Sequence, residues 1–408
     1  MSFLRNAVPE SCRDAFVKDV GSGVLSGMYS AVIGTFLMYV ARKELHCSDM
    51  MLGMISAAPF IGCILALFYA HAMEGRPKMP YMVWAHSLGR ALYFGILFIN
   101  TPLPFALVAT AAQVIVSLGG PPYAAVINEI YPVQQRGILM SYVRVAAYFS
   151  MLVFTLIAGR LLHVVGFHYV FPMAAVVGVG AALVFGTIKT APIDIDDPAN
   201  HRPPLGNFIK ETMSILIRDR ANRLYAIGIS VSGFGCLILA PVFTVFQVDK
   251  LHMTEYQLAA ITISGIFTWA VTYPIWGKLI DKRSPVTASI LSALLWTVYP
   301  LSYVFATKWW HVLPANIIAG ISLGGMELGY FNSILEYSEE GKETQHQAMY
   351  SFIQGVRGMI GPFVGAWLLI VCTRFSFPKE YLFVLAVAMI FVGCAILRLC
   401  SDPRNDSR

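Results

Sequence analysis

Several ionisable side chains of this chain stand inside long apolar stretches, among them Asp19, Arg90, Arg144, Glu327 and Arg357. A charge in hydrocarbon costs about 2.5–3.5 kcal/mol on insertion scales, so each is a candidate for work rather than decoration. Glu327, within Gly324-Gly325-Met326-Glu327-Leu328-Gly329, leads. A carboxyl in such surroundings can take up and release a proton; the plainer alternative is a hydrogen-bonded acid that only joins helices. Asp19, close to Asp14 and Lys18, is the reserve proton carrier, with a solvated helix start as its alternative. Arg144 and Arg357 fall near the ends of corresponding stretches, where Glu129, Asp281 and Glu336 should emerge. Opposite charges there would pair in one state and part in another, as a gate does, or remain permanent ion pairs. Arg90 is assigned no role. Tyr29, Gln113, Tyr148, Gln247, Trp269, Asn316 and Asn332 are the polar and aromatic groups expected to touch a solute.

Other chemistries find no constellation. HExxH and GxxxxGK[ST] are absent, so neither an enzyme nor an ATP-driven pump is indicated. Seven scattered cysteines form no CxxC pair, which argues against a disulfide framework and a metal site, and no cofactor is implied. Lys and Arg occupy short connections rather than aromatic-interleaved basic patches, so no nucleic-acid partner is expected.

The elements that must position these groups are membrane helices. Of 408 residues 57% are hydrophobic and only 13% charged, about half the charged share of a soluble domain, so lipid has to cover much of the surface. Spans are expected at 16–40, 50–71, 80–99, 103–127, 138–162 and 167–188, and again at 222–246, 257–279, 286–306, 310–335, 347–372 and 379–399. They must be helical, because in lipid each backbone polar group needs a partner within its own segment. The expected fold is an all-α membrane protein of twelve transmembrane helices in two pseudo-symmetric six-helix bundles, 1–188 and 222–408. Residues 189–221 form a polar linker whose second part suits an amphipathic surface helix.

The halves repeat. Lys43 to Asp49 aligns with Lys250 to Glu255 at an offset of 206 with a one-residue gap, Ser117-Leu118-Gly119-Gly120 with Ser322-Leu323-Gly324-Gly325 at 205, and Ser141-Tyr142-Val143 with Ser351-Phe352-Ile353 at 210. Two parallel units with a binding site between them suit a carrier. The side holding both termini collects 19 of the 29 Lys and Arg residues, which places the termini and linker in the cytoplasm, with the chain multi-pass in the cell membrane. Cys47 would then be the thiol that an impermeant reagent reaches from outside.

Gly277-Lys278-Leu279-Ile280-Asp281-Lys282-Arg283 resembles the G-x-L-x-D-[RK]-x loop signature of the major facilitator superfamily, at the position that family uses. The resemblance implies two bundles around a central cavity lined mainly by spans 1, 4, 7 and 10, and gate roles for Gly277, Asp281 and Arg283. The matching first-half loop departs from the pattern: Gly75 stands where the Asp belongs, with Glu74 as its substitute. Span 5 lacks the glycine- and proline-rich signature usual in the family's drug antiporters, which weighs against multidrug export. The expected activity is secondary active transport of a small solute by alternating access, with protons as a coupling ion and lipids around a functional monomer. An exporter of lipid-like or metal-bearing compounds and a solute sensor without flux are the competing readings.

Overall fold

The computed structural model describes residues 8–73, 76–132, 135–190, 206, 220–337 and 343–400. The expected amphipathic stretch of the linker and Glu74 lie outside these residues. In the first half, α1 is Arg13–Lys43, α2 Asp49–Met73, α3 Lys78–Ala91 extended by a 3-10 segment Leu92–Phe98, α5 Arg136–Val165 and α6 Phe167–Gly186. Helix α4 comes in two pieces, Pro102–Leu118 and Gly120–Ile130. In the second half, α7 is Arg220–Val245 continued by a π turn Phe246–Lys250, α8 Glu255–Lys282, α9 Pro285–Trp296 and Val298–Phe305, α10 Leu313–Tyr337, α11 Glu343–Arg374 and α12 Tyr381–Leu397. Among the described residues these make twelve spans, as the hydropathy pattern predicts.

Helix boundaries follow local chemistry. Thr254 accepts a hydrogen bond from the amide of Gln257, whose side chain accepts one from the amide of Thr254, a reciprocal cap that starts α8. Ser284 caps α9 through the amide of Thr287, with Pro285 at the first helical position, where its missing N–H costs nothing. The repeated Ser-Leu-Gly-Gly string behaves differently in its two settings. Pro121 and Pro122 follow it in α4, and the helix breaks at Gly119. In α10 no proline follows and the helix runs through.

Contacts divide the chain into two compact units, Met1–Cys47 with Ala58–Arg202, and Ser48–Ala57 with Pro203–Arg408. The first turns of α2 therefore pack within the second unit, where Gly53 lies so close to Pro362 and Ala366 that a methyl would overlap them. In the first unit a core of Phe16, Met82, Val126, Tyr131, Leu139 and Phe185 closes one end. In the second, Tyr225, Val286, Ile334, Tyr337, Tyr350 and Leu397 do the same. Between helices the contacts rest on small residues, as expected where lipid is as apolar as leucine and only packing can favour association. A methyl on Gly27 of α1 would run into the backbone of Ala147 in α5, and one on Gly365 of α11 into that of Ile238 in α7. Large apolar side chains such as Trp84, Phe98, Phe149, Ile275 and Phe305 point outward, a surface suited to lipid.

Cys47 departs from the expected accessible thiol. It is wholly buried, its Sγ 3.7 Å from the carbonyl of Pro102. The loop around it folds back because the amide of Cys47 bonds to Ala41, so a reagent meets Glu44 and Ser48 instead.

Candidate functional site

Helical spacing gathers the polar groups of the second unit. On α10, Leu323, Met326, Glu327 and Tyr330 recur every three or four residues and so share one face. On α7, Ile229, Ser232 and Gly233 do likewise, and on α11, Gln354 and Arg357. With Trp269 from α8, Ser289 and Ala293 from α9 and Leu397 from α12, these faces enclose a cavity of about 460 Å³ within the unit. The size suits a small organic molecule. Glycines let the walls close on it. Gly324 of α10 lies in contact range of Trp269, Tyr273 and Trp276, and a methyl on Gly325 would overlap Trp276 and Ser292.

Arg357 sits differently from expectation. Rather than standing near a helix end beside Glu336 and Asp281, it occupies the middle of α11 and lines the cavity, against Gly233, where any side chain would displace its guanidinium. Nη1 donates to the carbonyl of Ile229. Among the described residues the guanidinium makes no ion pair, and its Nε is buried with no hydrogen-bond partner. Tyr330, whose ring stands edge-on 6.1 Å from that of Tyr350, likewise has a buried hydroxyl without a hydrogen-bond partner. Glu327 is half-buried on the same cavity wall.

In the first unit Asp19 is 2% exposed, and the hydroxyl of Tyr131 donates to it at 2.7 Å. Asp14 and Lys18, one helical turn apart, pair at 2.6 Å on the solvated face, and Lys18 also donates to the carbonyl of Thr187. The helix start thus serves Asp14 and Lys18, while Asp19 turns inward. Arg90 is buried. It donates to the carbonyl of Gly178 at 2.6 Å and to the hydroxyl of Ser26 at 3.4 Å, and its charge lies 4.9 Å from the centre of the Tyr29 ring. Tyr29, expected to meet solute, is buried against Arg90 and Tyr93.

The remaining expected residues scatter. Gln247 donates to the hydroxyl of Tyr303 at 3.0 Å, at an aromatic cluster of Phe243, Tyr299, Tyr303 and Phe383. Asn316 ties α10 to α8 through the carbonyl of Ile261 at 2.6 Å and the hydroxyl of Ser264 at 3.1 Å, and Asn332 bonds within its own helix to Leu328. Gln113 and Tyr148 are half-buried on α4 and α5. Of the expected gate groups, Glu129 and Arg144 are exposed, Glu336 is half-buried in the last turn of α10, and Gly277 has open space beside it. Asp281 falls in the last turn of α8, with its side chain outside the described residues, and the exposed Arg283 ends the helix through its amide bond to Leu279. Among the expected solute residues only Trp269 reaches the cavity, joined there by Glu327 and Arg357. Tyr330 and Gln354 were not anticipated, though their spacing was readable: each stands three residues from a charged group already singled out, hence on its face. A further buried node, in which Tyr350 donates to the side-chain oxygen of Asn222 at 2.9 Å and the Asn222 amide nitrogen stands 3.3 Å from His346, had no signal in the sequence.

No curated protein matches the chain. Among solved structures, the fold is similar to a point mutant of the nucleoside transporter NupG, with a TM-score of 0.75 at 11% identity over 94% of this chain and 100% of that one. It is also similar to a bacterial homologue of the human lysosomal transporter Spinster, TM-score 0.69 at 14% identity over 98% and 99% of the two chains. A D-xylose-proton symporter gives 0.69 at 15% identity over 97% and 99%. The sequence profile of the Major Facilitator Superfamily matches residues 20–268 and 225–408, so the loop signature, the twelve helices and this match agree, and the chain belongs to that superfamily of membrane transporters.

Proposed function

We propose that the chain carries a small solute across the cell membrane by alternating access, with the cavity of the second unit on the solute's path and Glu327 as the group that gains and loses a proton. The observation that carries this reading is the convergence of Glu327, Arg357, Gln354 and Tyr330 on one cavity of about 460 Å³. A carboxyl, a guanidinium and neutral polar groups facing one space can orient a solute with polar and apolar parts. The structural neighbours, a nucleoside transporter and a D-xylose-proton symporter, support solute carriage in general and a proton as partner. Asp19, held by Tyr131, is the second coupling group, and the loop from Gly277 to Arg283, with Glu129, Arg144 and Glu336, the candidate gate. The chain works as a monomer, its two halves being joined by the linker 189–221.

The test is transport by purified protein in liposomes. Glu327→Gln is expected to abolish accumulation driven by a pH gradient while preserving solute exchange; full accumulation by the mutant would remove Glu327 from coupling. Binding without any flux would mark a sensor instead. The basic residues favour cytoplasmic termini, which single cysteines can check. On intact cells an impermeant thiol reagent should label Glu44→Cys and spare Lys282→Cys, and the opposite pattern would invert the topology.

A further inference from the structure

Resting on that reading, we infer that the solute is a small monocarboxylate with an aromatic or branched apolar body, its carboxylate held by Arg357. A guanidinium is permanently charged and offers five N–H donors, no acceptor, and a fork that matches a carboxylate. Here one nitrogen is used, by the carbonyl of Ile229, and no acid of the described residues pairs with the charge. Such a charge among helices is costly unless something balances it. Arg357 makes no ion pair with Glu327, although both line the same cavity, so a visiting anion is the group that fits.

The rest of the cavity narrows the class. Glu327 and Arg357 are the two charged residues of its wall. Arg357 is the one cationic residue of that wall, and a single carboxylate matches its charge. A phosphate dianion would bring more negative charge than one guanidinium balances, and an amine would meet the arginine's repulsion. Trp269 and Tyr330, with Leu323 and Met326, supply an aromatic and apolar lining that a purely hydrophilic acid would leave unused. Gly233 keeps the guanidinium in place, because any larger residue would occupy its position.

The experiment compares thermal stabilisation of the purified full-length protein by benzoate, benzamide, benzylamine and inorganic phosphate, with flux in liposomes scored separately. Benzoate alone should raise the melting temperature, and Arg357→Gln should weaken its binding roughly thirtyfold or more, the size of effect seen when one partner of a buried charge pair is removed. Equal stabilisation by benzoate and benzamide, a stronger response to phosphate or benzylamine, or no response to benzoate would overturn the inference, as would unchanged benzoate binding in Arg357→Gln. Should that variant fail to fold, the benzoate and benzamide comparison on the unaltered protein still decides. Flux of a neutral solute without a carboxylate preference would overturn this inference and leave carriage standing, whereas benzoate binding with no flux of any solute would do the reverse.

Discussion

The two halves of this chain repeat one order of helices but bury their arginines in different places. Gly27 and Gly233 correspond at the offset of 206, and Ala147 and Arg357 at 210. In the first unit that crossing is glycine against alanine, backbone to backbone; in the second it is glycine against a guanidinium that lines a cavity. Conversely, Arg90 in α3 corresponds to Trp296 in α9. Arg90 is bound to α6 and α1 through Gly178 and Ser26, while Trp296 joins the cluster of Phe243 and Tyr299. Asp19 and Tyr131 correspond likewise to Tyr225 and Tyr337, a hydrogen-bonded acid in one unit and a ring contact of 5.3 Å in the other. A duplicated frame thus tolerates opposite polar fillings. Arg90 ties α3 to two neighbouring helices, whereas Arg357, tied to α7 through Ile229, faces a cavity.

The strongest way to break this contrast is to add the same methyl to both crossings. Gly27→Ala should lower stability by about 1–2 kcal/mol, because the backbone of Ala147 cannot give way and the overlap outweighs alanine's helix preference. Gly233→Ala should change stability by no more than about 0.5 kcal/mol, since only the far end of the Arg357 side chain must move. It should nevertheless lose the response to carboxylates. Thermal unfolding in detergent with and without benzoate reads both, and equal destabilisation would mean that Arg357 is as structural as Ala147.

A smaller effect tests the acid. Tyr131→Phe removes the donor to buried Asp19 and should cost about 1 kcal/mol, while Asp19→Asn together with it should recover part of the loss. Simple additivity of the two in unfolding measurements would show that the hydroxyl does not serve the carboxylate. Smallest is the helix-end lysine. Lys43 and Lys250 correspond across the repeat, Lys43 over the ring of Tyr39 and Lys250 over that of Phe246, each one turn back, and Lys250 adds an ion pair with Glu380 at 2.8 Å. Both partners of that pair are about one-third exposed, so Lys250→Ala should cost roughly 0.2–1 kcal/mol and less at high salt. A salt-independent loss would assign the contribution to ring packing instead.

The twelve spans, the repeat and the family resemblance followed from the sequence by itself, because lipid leaves a segment no choice: about 20 apolar residues must be helical and must cross. Glu327 was legible for the same reason, as an acid in an apolar run. The partners of these groups were decided by tertiary structure. Nothing local distinguishes Arg90, bonded to Gly178 88 positions on, from Arg357, facing a cavity; both are arginines among apolar residues. Nor does composition tell that Asn316 and Gln247 spend their amides on Ile261 and Tyr303. Helical periodicity says which residues share a face, but what that face meets depends on the neighbouring helix and on where glycines let it approach.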